Sequence, residues 1–213
     1  MRLAVNRLVV GAGTAAILAG CVACGSSTAA ATHSGSPSAT TGGSAAGSAA
    51  PKPNAPEVNA AGDIPDTQVY VPFTPQGASF TVSVPQGWSR TAQGAATVFT
   101  DKYNSVRIFS AARSHAPDVA SAKATELPKL KSSTPGYQAG KVSTVQRKSG
   151  PAVLITYTAN SPASPVTGKT VTEAVQRYEF FKHGREVVLT LSGPTGADNV
   201  DPWRTITDSL RWH

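Results

Sequence analysis

Residues 80–88 read Phe80-Thr81-Val82-Ser83-Val84-Pro85-Gln86-Gly87-Trp88. Apolar and polar side chains alternate through the first five positions, which is the period of a strand with one buried face. The proline and glycine that follow favour a turn. The core of this chain is therefore expected to include a β-sheet, and residues 80–84 are its first predicted strand.

Six more runs have the length and composition of strands. Residues 102–104 form a plausible hairpin turn, and so do residues 182–185, where Gly184 supplies the positive φ that a tight turn needs. The additional predicted strands are 96–101, 105–111, 138–148, 152–159, 170–182 and 186–192.

Two segments have the period of a helix instead. Residues 114–118 (Ser-His-Ala-Pro-Asp) supply a capping residue and an early proline, and apolar residues at 119, 122, 127 and 130 follow on nearly one face. Pro128 is expected to kink or end this helix. The second helix is expected to be capped by Asp201, to have Pro202 at its first position, and to pack the face formed by Trp203, Ile206 and Leu210 on the sheet. The predicted fold is α+β, a mainly antiparallel sheet of about six to seven strands with two packed helices.

The first 20 residues have the layout of an export signal. Arg2 and Arg7 precede an apolar run from Leu8 to Gly20. This run is shorter than the roughly 20 residues that a membrane-spanning helix needs. The sequence therefore favours a cleaved signal peptide over a permanent transmembrane segment.

The end of this signal resembles the bacterial lipobox. Leu18-Ala19-Gly20-Cys21 has a leucine and two small residues before a cysteine. The resemblance implies cleavage between Gly20 and Cys21, a diacylglyceryl group on the Cys21 thiol, and further acylation of the new amino group. Cys24 is the second choice for modification, and an ordinary secretory signal is the alternative.

A low-complexity segment follows the cysteines. Of the 32 residues from 25 to 56, 29 are Gly, Ser, Thr, Ala or Pro, a composition that cannot bury enough apolar surface to fold. All 14 aromatic residues lie from Tyr70 onward. The chain is therefore divided into a signal peptide (1–20), a lipidated cysteine with a disordered tether (21–66) and a globular domain (67–213).

The motif at residues 80–88 resembles the F-x-V-x-V-P-x-G-W motif of Mog1/PsbP-like domains. A terminal helix that runs into Ser209-Leu210-Arg211-Trp212 matches the ending of those domains. Together with the lipobox and the tether, the chain is similar to actinobacterial lipoproteins of the LpqN/LpqT type. The resemblance implies this fold, an envelope location and an accessory or binding role, and it carries no catalytic residue.

The formal charge of +7 lies on the predicted domain. Residues 67–213 contain 16 basic and 9 acidic residues. Six basic residues cluster in sequence, either as a solvated face or as a contact for anionic headgroups or wall polymers. They are Lys123, Lys129, Lys131, Lys141, Arg147 and Lys148. Nucleic acid is not an expected partner, because the signal directs the chain to the envelope.

No motif for catalysis, a cofactor or a metal is present. The histidines (His33, His115, His183 and His213) lack ligand spacing, and G-x-S-x-G is absent. Residues 193–198 faintly resemble a phosphate loop but lack G-K-[ST]. The acidic residues of the domain are few and dispersed in the sequence. The chief ones are Glu126, Glu173, Glu179, Glu186, Asp198, Asp201 and Asp208.

The aromatic run at residues 178–181 (Tyr-Glu-Phe-Phe) indicates a buried central strand or, alternatively, the wall of an apolar pocket. We predict a non-enzymatic, monomeric lipoprotein, anchored on the extracytoplasmic face of the cell membrane, that contacts another protein or an anionic envelope component. A carrier of a lipid-like ligand is the alternative, and a wall or lipid hydrolase is a minor one.

Overall fold

Antiparallel β-sheet dominates the part of the chain that the structure describes. The structure is a computed structural model and describes residues 62–164 and 167–213. The predicted signal peptide, Gly20, both cysteines, His33 and the tether up to residue 61 lie outside the described residues. Among those that are described, no helix is both long and apolar enough to cross a membrane.

The strands form two sheets. Their bounds are β1 Tyr70–Phe73, β2 Phe80–Pro85, β3 Ser89–Gln93, β4 Ala96–Asp101, β5 Asn104–Ala112, β6 Gln138–Arg147, β7 Gly150–Asn160, β8 Thr172–Lys182, β9 Arg185–Pro194 and β10 Arg211–Trp212. The larger sheet has the order β3-β4-β5-β9-β8-β7-β6, and the smaller has the order β1-β2-β10. Each neighbouring pair is antiparallel.

The predicted α+β class is confirmed, and all seven predicted strands are present with ends within two residues of the expected ones. The larger sheet has seven strands, where about six to seven were expected, but β2 is not one of them. It pairs with β1 and β10 in the second sheet, which the sequence analysis did not include. The turn between β8 and β9 contains two positive φ angles, at His183 and Gly184, where only the glycine was predicted to have one.

The first helical segment continues through Pro128. It comprises α1 (Val119–Ser121), a π-helical stretch (Ala122–Glu126) and α2 (Leu127–Ser133). Proline has no N–H, and its ring crowds the carbonyl four residues earlier. The chain accommodates it by widening the preceding turn, in which the Leu127 N–H bonds five residues back to the Ala122 carbonyl.

The first helix has its cap within residues 114–118, as expected, whereas the last helix begins at another cap than the expected Asp201. The first is capped by Asp118, whose side chain accepts from the Ser121 N–H at 2.6 Å. The last helix, α3 (Val200–Asp208), follows Asn199 as its cap residue. Asp201 therefore lies in the first turn, where a carboxylate favours the positive end of the helix dipole.

The larger sheet has an apolar core on each face. On one face, Ile206 and Leu210 pack with the central strands and the smaller sheet, and the exposed fraction of each is at most 2%. On the other face, the first helical segment packs Ala122 against β7 and β8. The two helical segments therefore cover opposite faces of one sheet.

The folded unit includes residues assigned to the tether. Ile64 is buried in the main core, and its N–H donates to Asn199 Oδ1 at 2.8 Å. The Gly62 carbonyl accepts from the side chains of Asn104 and Asn199. Residues 62–66 therefore belong with the domain that was expected to begin at 67, because Ile64 adds apolar burial to it.

Candidate functional site

Among the cavities of the described residues, two lie on opposite faces of the larger sheet. The smaller, about 130 Å³, lies where the chain enters the first helical segment, and we call it the Glu179 cleft. The larger, about 560 Å³, runs beside α3, and we call it the α3 groove. Of these two, only the groove has the 300–1,000 Å³ typical of clefts for small-molecule ligands.

The Glu179 cleft combines apolar walls with a buried acid. Its lining includes Pro117, Asp118, Thr144, Pro151, Glu179 and Phe181. The side chain of Glu179 is 0% exposed, although Glu is rarely buried without a partner. Its Oε1 accepts from Arg177 Nε at 2.9 Å, whereas its Oε2 has no hydrogen-bond donor among the described residues.

Further ion pairs surround this acid. Arg177 also approaches Glu126, with 3.5 Å between its Nη2 and Glu126 Oε2. Arg113 pairs with Glu186, which lies on β9 next to β8. The strands and the π-helical stretch thus bring together three carboxylates and two guanidiniums from distant parts of the sequence.

Burial controls the protonation of Glu179. Loss of hydration raises the pKa of this carboxyl above its ordinary value, because the charged form is penalised in a low-dielectric environment. The charge and hydrogen bond of Arg177 act in the opposite direction, while Glu186 and Glu126 add to the rise. Burial also raises the pKa of Glu173, on the same strand, against a hydrogen bond from Ser192.

The α3 groove is lined by charges of both signs. Its charged residues are Lys148, Asp201, Arg204, Asp208 and Arg211. Asp208 is largely neutralised, with Arg147 Nε at 3.9 Å, Arg204 Nε at 3.8 Å and the Lys148 backbone N–H at 3.3 Å from its oxygens. No described carboxylate forms an ion pair with the Lys148 ammonium or the Arg211 guanidinium.

Arg147 ties this groove to the sheet. Its Nε donates to Thr207 Oγ1 at 2.9 Å, and its Nη2 donates to the Tyr178 hydroxyl at 2.8 Å. The guanidinium carbon also lies 4.9 Å from the centroid of the Tyr178 ring. These contacts fix the end of β6, and therefore Lys148 after it, against α3.

The six basic residues that are close in sequence do not form one patch. Lys123, Lys129 and Lys131 are exposed on the first helical segment. Arg147 and Lys148 lie at the far end of β6, beside α3 and thus on the other face of the sheet. Of this set, Lys148 alone lines the α3 groove.

The phosphate-like loop has a structural role. Residues 193–198 lead from β9 towards α3, and the Asp198 N–H donates to Asp63 Oδ1 at 2.9 Å. Asn199, next in sequence, holds Gly62 and Ile64. The loop thus uses its polar groups to secure the start of the folded unit.

The described histidines are all exposed and separate. His115 and His213 contact hydroxyl groups, at Ser114 and Thr81, and His183 lies in a hairpin turn. Within residues 62–164 and 167–213, no group of three or more His, Cys, Asp or Glu side chains is placed to hold a metal ion.

The aromatic run of β8 is divided between the two faces. Tyr178 and Phe180 are buried in the main core, as the buried-strand interpretation predicted. Glu179 and Phe181 face the other way and line the cleft. Sequence reasoning missed the association of Glu126, Arg177 and Glu179, for which the only signal was a charged residue at alternate positions of a buried strand.

Comparisons with known proteins concern the fold only. Neither a protein-family model nor a curated protein sequence matches this chain. Among solved structures, it is similar to the Ran-binding protein Mog1p of Saccharomyces cerevisiae (13% identity, 68% of this chain and 96% of the other, TM-score 0.45). It is also similar to CyanoP of Synechocystis sp. PCC 6803 (10%, 71% and 98%, TM-score 0.48).

LpqN of Mycobacterium tuberculosis, described as involved in cell envelope biogenesis, is a further similar structure (17% identity, 68% of this chain and 91% of the other, TM-score 0.37). These matches include the families that the sequence resembles. At such identities they show no family membership, and no function is transferred from them.

Proposed function

We propose that this chain is a bacterial lipoprotein, anchored through Cys21 to the extracytoplasmic face of the cell membrane, whose domain binds an anionic component of the envelope without catalysis. The lipobox-like residues 18–21 and the low-complexity segment that follows motivate the anchor and the tether. Two or more acyl chains hold a protein firmly to a bilayer, whereas one does so only marginally.

The α3 groove carries the binding part of the proposal. Lys148, from the middle of the domain sequence, and Arg211, from its C-terminal end, line one groove of about 560 Å³. Asp208 is already engaged by Arg147 and Arg204. The groove therefore presents two cationic groups that are available to phosphate or carboxylate groups.

Charge elsewhere in the groove leaves this preference intact. Asp201 is seven residues before Asp208 on α3, which is about 10 Å along a helix at 1.5 Å per residue. Asp201 lies in the first turn of α3, where the positive end of the helix dipole offsets part of its charge. The net charge of the domain, +7 over residues 67–213, also favours association with polyanions.

Binding of the mature chain, from residue 21 onward, with Cys21→Ala and Cys24→Ala tests this function without the signal segment and without the anchor. This variant is expected to sediment with phosphatidylglycerol vesicles or to bind soluble polyphosphate. It is not expected to bind phosphatidylcholine vesicles. At about 1 kcal/mol per basic residue, Lys148→Ala with Arg211→Ala should weaken binding about 30-fold.

The matched control removes two charges elsewhere. Lys141 and Lys169 are exposed and do not line the groove. Lys141→Ala with Lys169→Ala gives the same net charge, and it should weaken binding only about three-fold or less because salt screens distant charges. Equal losses in the two double variants, or no binding to either polyanion by the parent chain, would overturn the proposed groove.

A further inference from the structure

The Glu179 cleft contains a buried carboxylate oxygen without a partner. Glu179 is 0% exposed, and Arg177 occupies only its Oε1. No described residue donates to Oε2. Buried polar atoms in folded proteins nearly always have a hydrogen-bond partner, and because Glu179 lines the cleft, a group bound there can supply one.

The buried ion pairs around this oxygen contain more carboxylates than guanidiniums. Three carboxylates, those of Glu126, Glu179 and Glu186, accompany two guanidiniums, those of Arg113 and Arg177. All five side chains are at most 23% exposed, so water screens them poorly. A bound cationic group would offset this excess.

Other residues near the cleft do not supply that charge. None of the described residues that line it is Lys or Arg, and the exposed Asp118 adds another carboxylate. Lys129 lies 3.4 Å from Glu126, but its side chain is 72% exposed and does not line the cleft. Arg107, whose pKa is lowered by burial and by the charge of Arg177, is a further cation near the cluster, but it does not line the cleft either. The described residues therefore place no cation in the lining of the cleft.

The walls indicate which kind of cationic group the cleft suits. Pro117, Pro151, Val153 and Phe181 supply apolar surface, and aromatic rings attract cations over their faces. At about 130 Å³ the cleft is less than half the size at which sites for drug-sized ligands begin, roughly 300 Å³. It suits one small cationic group with a short aliphatic stem, and it excludes a whole lipid.

We propose that the Glu179 cleft binds a primary ammonium group on a short aliphatic chain, with Glu179 Oε2 as its principal acceptor. A primary ammonium has three N–H donors. The Thr144 hydroxyl, which also lines the cleft, is available as a second acceptor. The site lies on the other face of the sheet from the α3 groove, so this inference does not depend on the proposed function.

Two sources share this chemistry, a free alkylamine and a lysine side chain of a protein. Nuclear magnetic resonance of the whole chain, labelled uniformly with ¹⁵N and with ¹³C in glutamate, measures the binding of a probe for each source. We expect n-butylammonium to shift the Glu179 carboxyl resonance and the amides of Asp118 and Phe181 in a saturable manner and to lower the pKa of Glu179. n-Butanol, with the same stem and no charge, should leave them unchanged.

The second arm of the experiment uses a peptide with one central lysine, whose N-terminus is acetylated and whose C-terminus is amidated. Stronger binding by the peptide assigns the site to a protein's lysine, and stronger binding by butylammonium assigns it to a small amine. Either result supports the proposal. The proposal would be overturned if neither ammonium probe shifted the resonances, or if butanol shifted them equally. The cleft would then hold water only.

Glu179→Gln keeps the shape of the side chain and removes its charge. It should weaken butylammonium binding about ten-fold or more, because a hydrogen bond to a charged group is lost. Glu173→Gln is the matched control, since Glu173 is also buried on β8 but does not line the cleft. An unchanged affinity of Glu179→Gln for butylammonium would contradict the proposal. If this variant does not fold, the titration of the labelled parent chain still tests the proposal.

Discussion

Arg177 Nε donates to Glu179 Oε1 at 2.9 Å within β8. The two residues are two positions apart on the strand, so both side chains lie on the same face of the sheet. The guanidinium is 16% exposed and the carboxylate is 0% exposed. The pair is thus the centre of a buried ionic cluster that joins the sheet to the first helical segment.

Arg177→Met should be strongly destabilising at neutral pH. It leaves the Glu179 carboxylate buried without its partner, and breaking a buried pair costs about 3–5 kcal/mol. Urea unfolding measures the change. Lys182→Met, at an exposed position of the same strand, should stay within about 0.5 kcal/mol.

The double variant Arg177→Met with Glu179→Leu separates burial from pairing. Replacing a whole buried ion pair by apolar side chains is often neutral, so this variant should be more stable than Arg177→Met alone. A single variant as stable as the parent chain would show that the pair contributes nothing.

Titration of the Glu179 carboxyl should make the unfolding free energy depend on pH. Its pKa is raised in the folded protein, so the stability that the protonated carboxyl contributes is fully present below the ordinary pKa of 4.5 and is lost as pH rises through the folded value. The unfolding free energy of the parent chain should therefore fall relative to Glu179→Gln above about pH 4.5. Denaturant unfolding across a pH series measures this difference.

Asp118 provides a control of opposite sign. Hydrogen bonds from Ser121 lower the pKa of this carboxyl, so its contribution is present above the ordinary pKa of 3.8 and is lost as pH falls through the folded value. Asp118→Asn should therefore differ from the parent chain less at low pH than at neutral pH. Parallel pH profiles for Glu179→Gln and the parent chain would contradict the buried-acid assignment.

Ile206 anchors α3 to the main core. It is 0% exposed, and Ile206→Ala should lower the unfolding free energy by about 2–5 kcal/mol, through lost burial and the cavity that remains. Val200 lies on the same helix and is 67% exposed. Val200→Ala should change stability by about 0.5 kcal/mol or less. Equal effects at the two positions would show that α3 does not pack on the main core.

The start of the folded unit is testable in the same way. Ile64 is 3% exposed in the main core, and Ile64→Ala should cost about 2–5 kcal/mol. Val69, which is 56% exposed, is the control, with an expected change of about 0.5 kcal/mol or less in Val69→Ala. A negligible effect of Ile64→Ala on stability would show that residues 62–66 belong to the tether and not to the folded unit.

Hydrophobic patterning predicted the strands that bury a face and missed those that do not. β2 has a buried residue at every second position, and the sequence analysis found it. All five residues of β3 are exposed, so no alternation marks it. β1 contains Pro72, which argues against a strand except at a sheet edge, and β10 has only two residues.

The site was less predictable because it depends on contacts between distant segments. Glu126 and Arg177 are 51 residues apart in sequence and meet only after the first helical segment packs on β8. The π-helical stretch before Pro128 also changes the register that a regular helix would give to Glu126. Lys148 and Arg211 similarly come to one groove through the packing of α3.

The anchor at Cys21 is the central claim of this account, because the proposed groove would act at a membrane surface. Intact-mass and peptide mass spectrometry of the protein purified from membranes of a bacterial host tests it most directly. The predicted result is a mature N-terminus at Cys21 that carries a diacylglyceryl group, lost in Cys21→Ala and retained in Cys24→Ala. An N-terminus at another residue, without any acyl mass, would contradict the account.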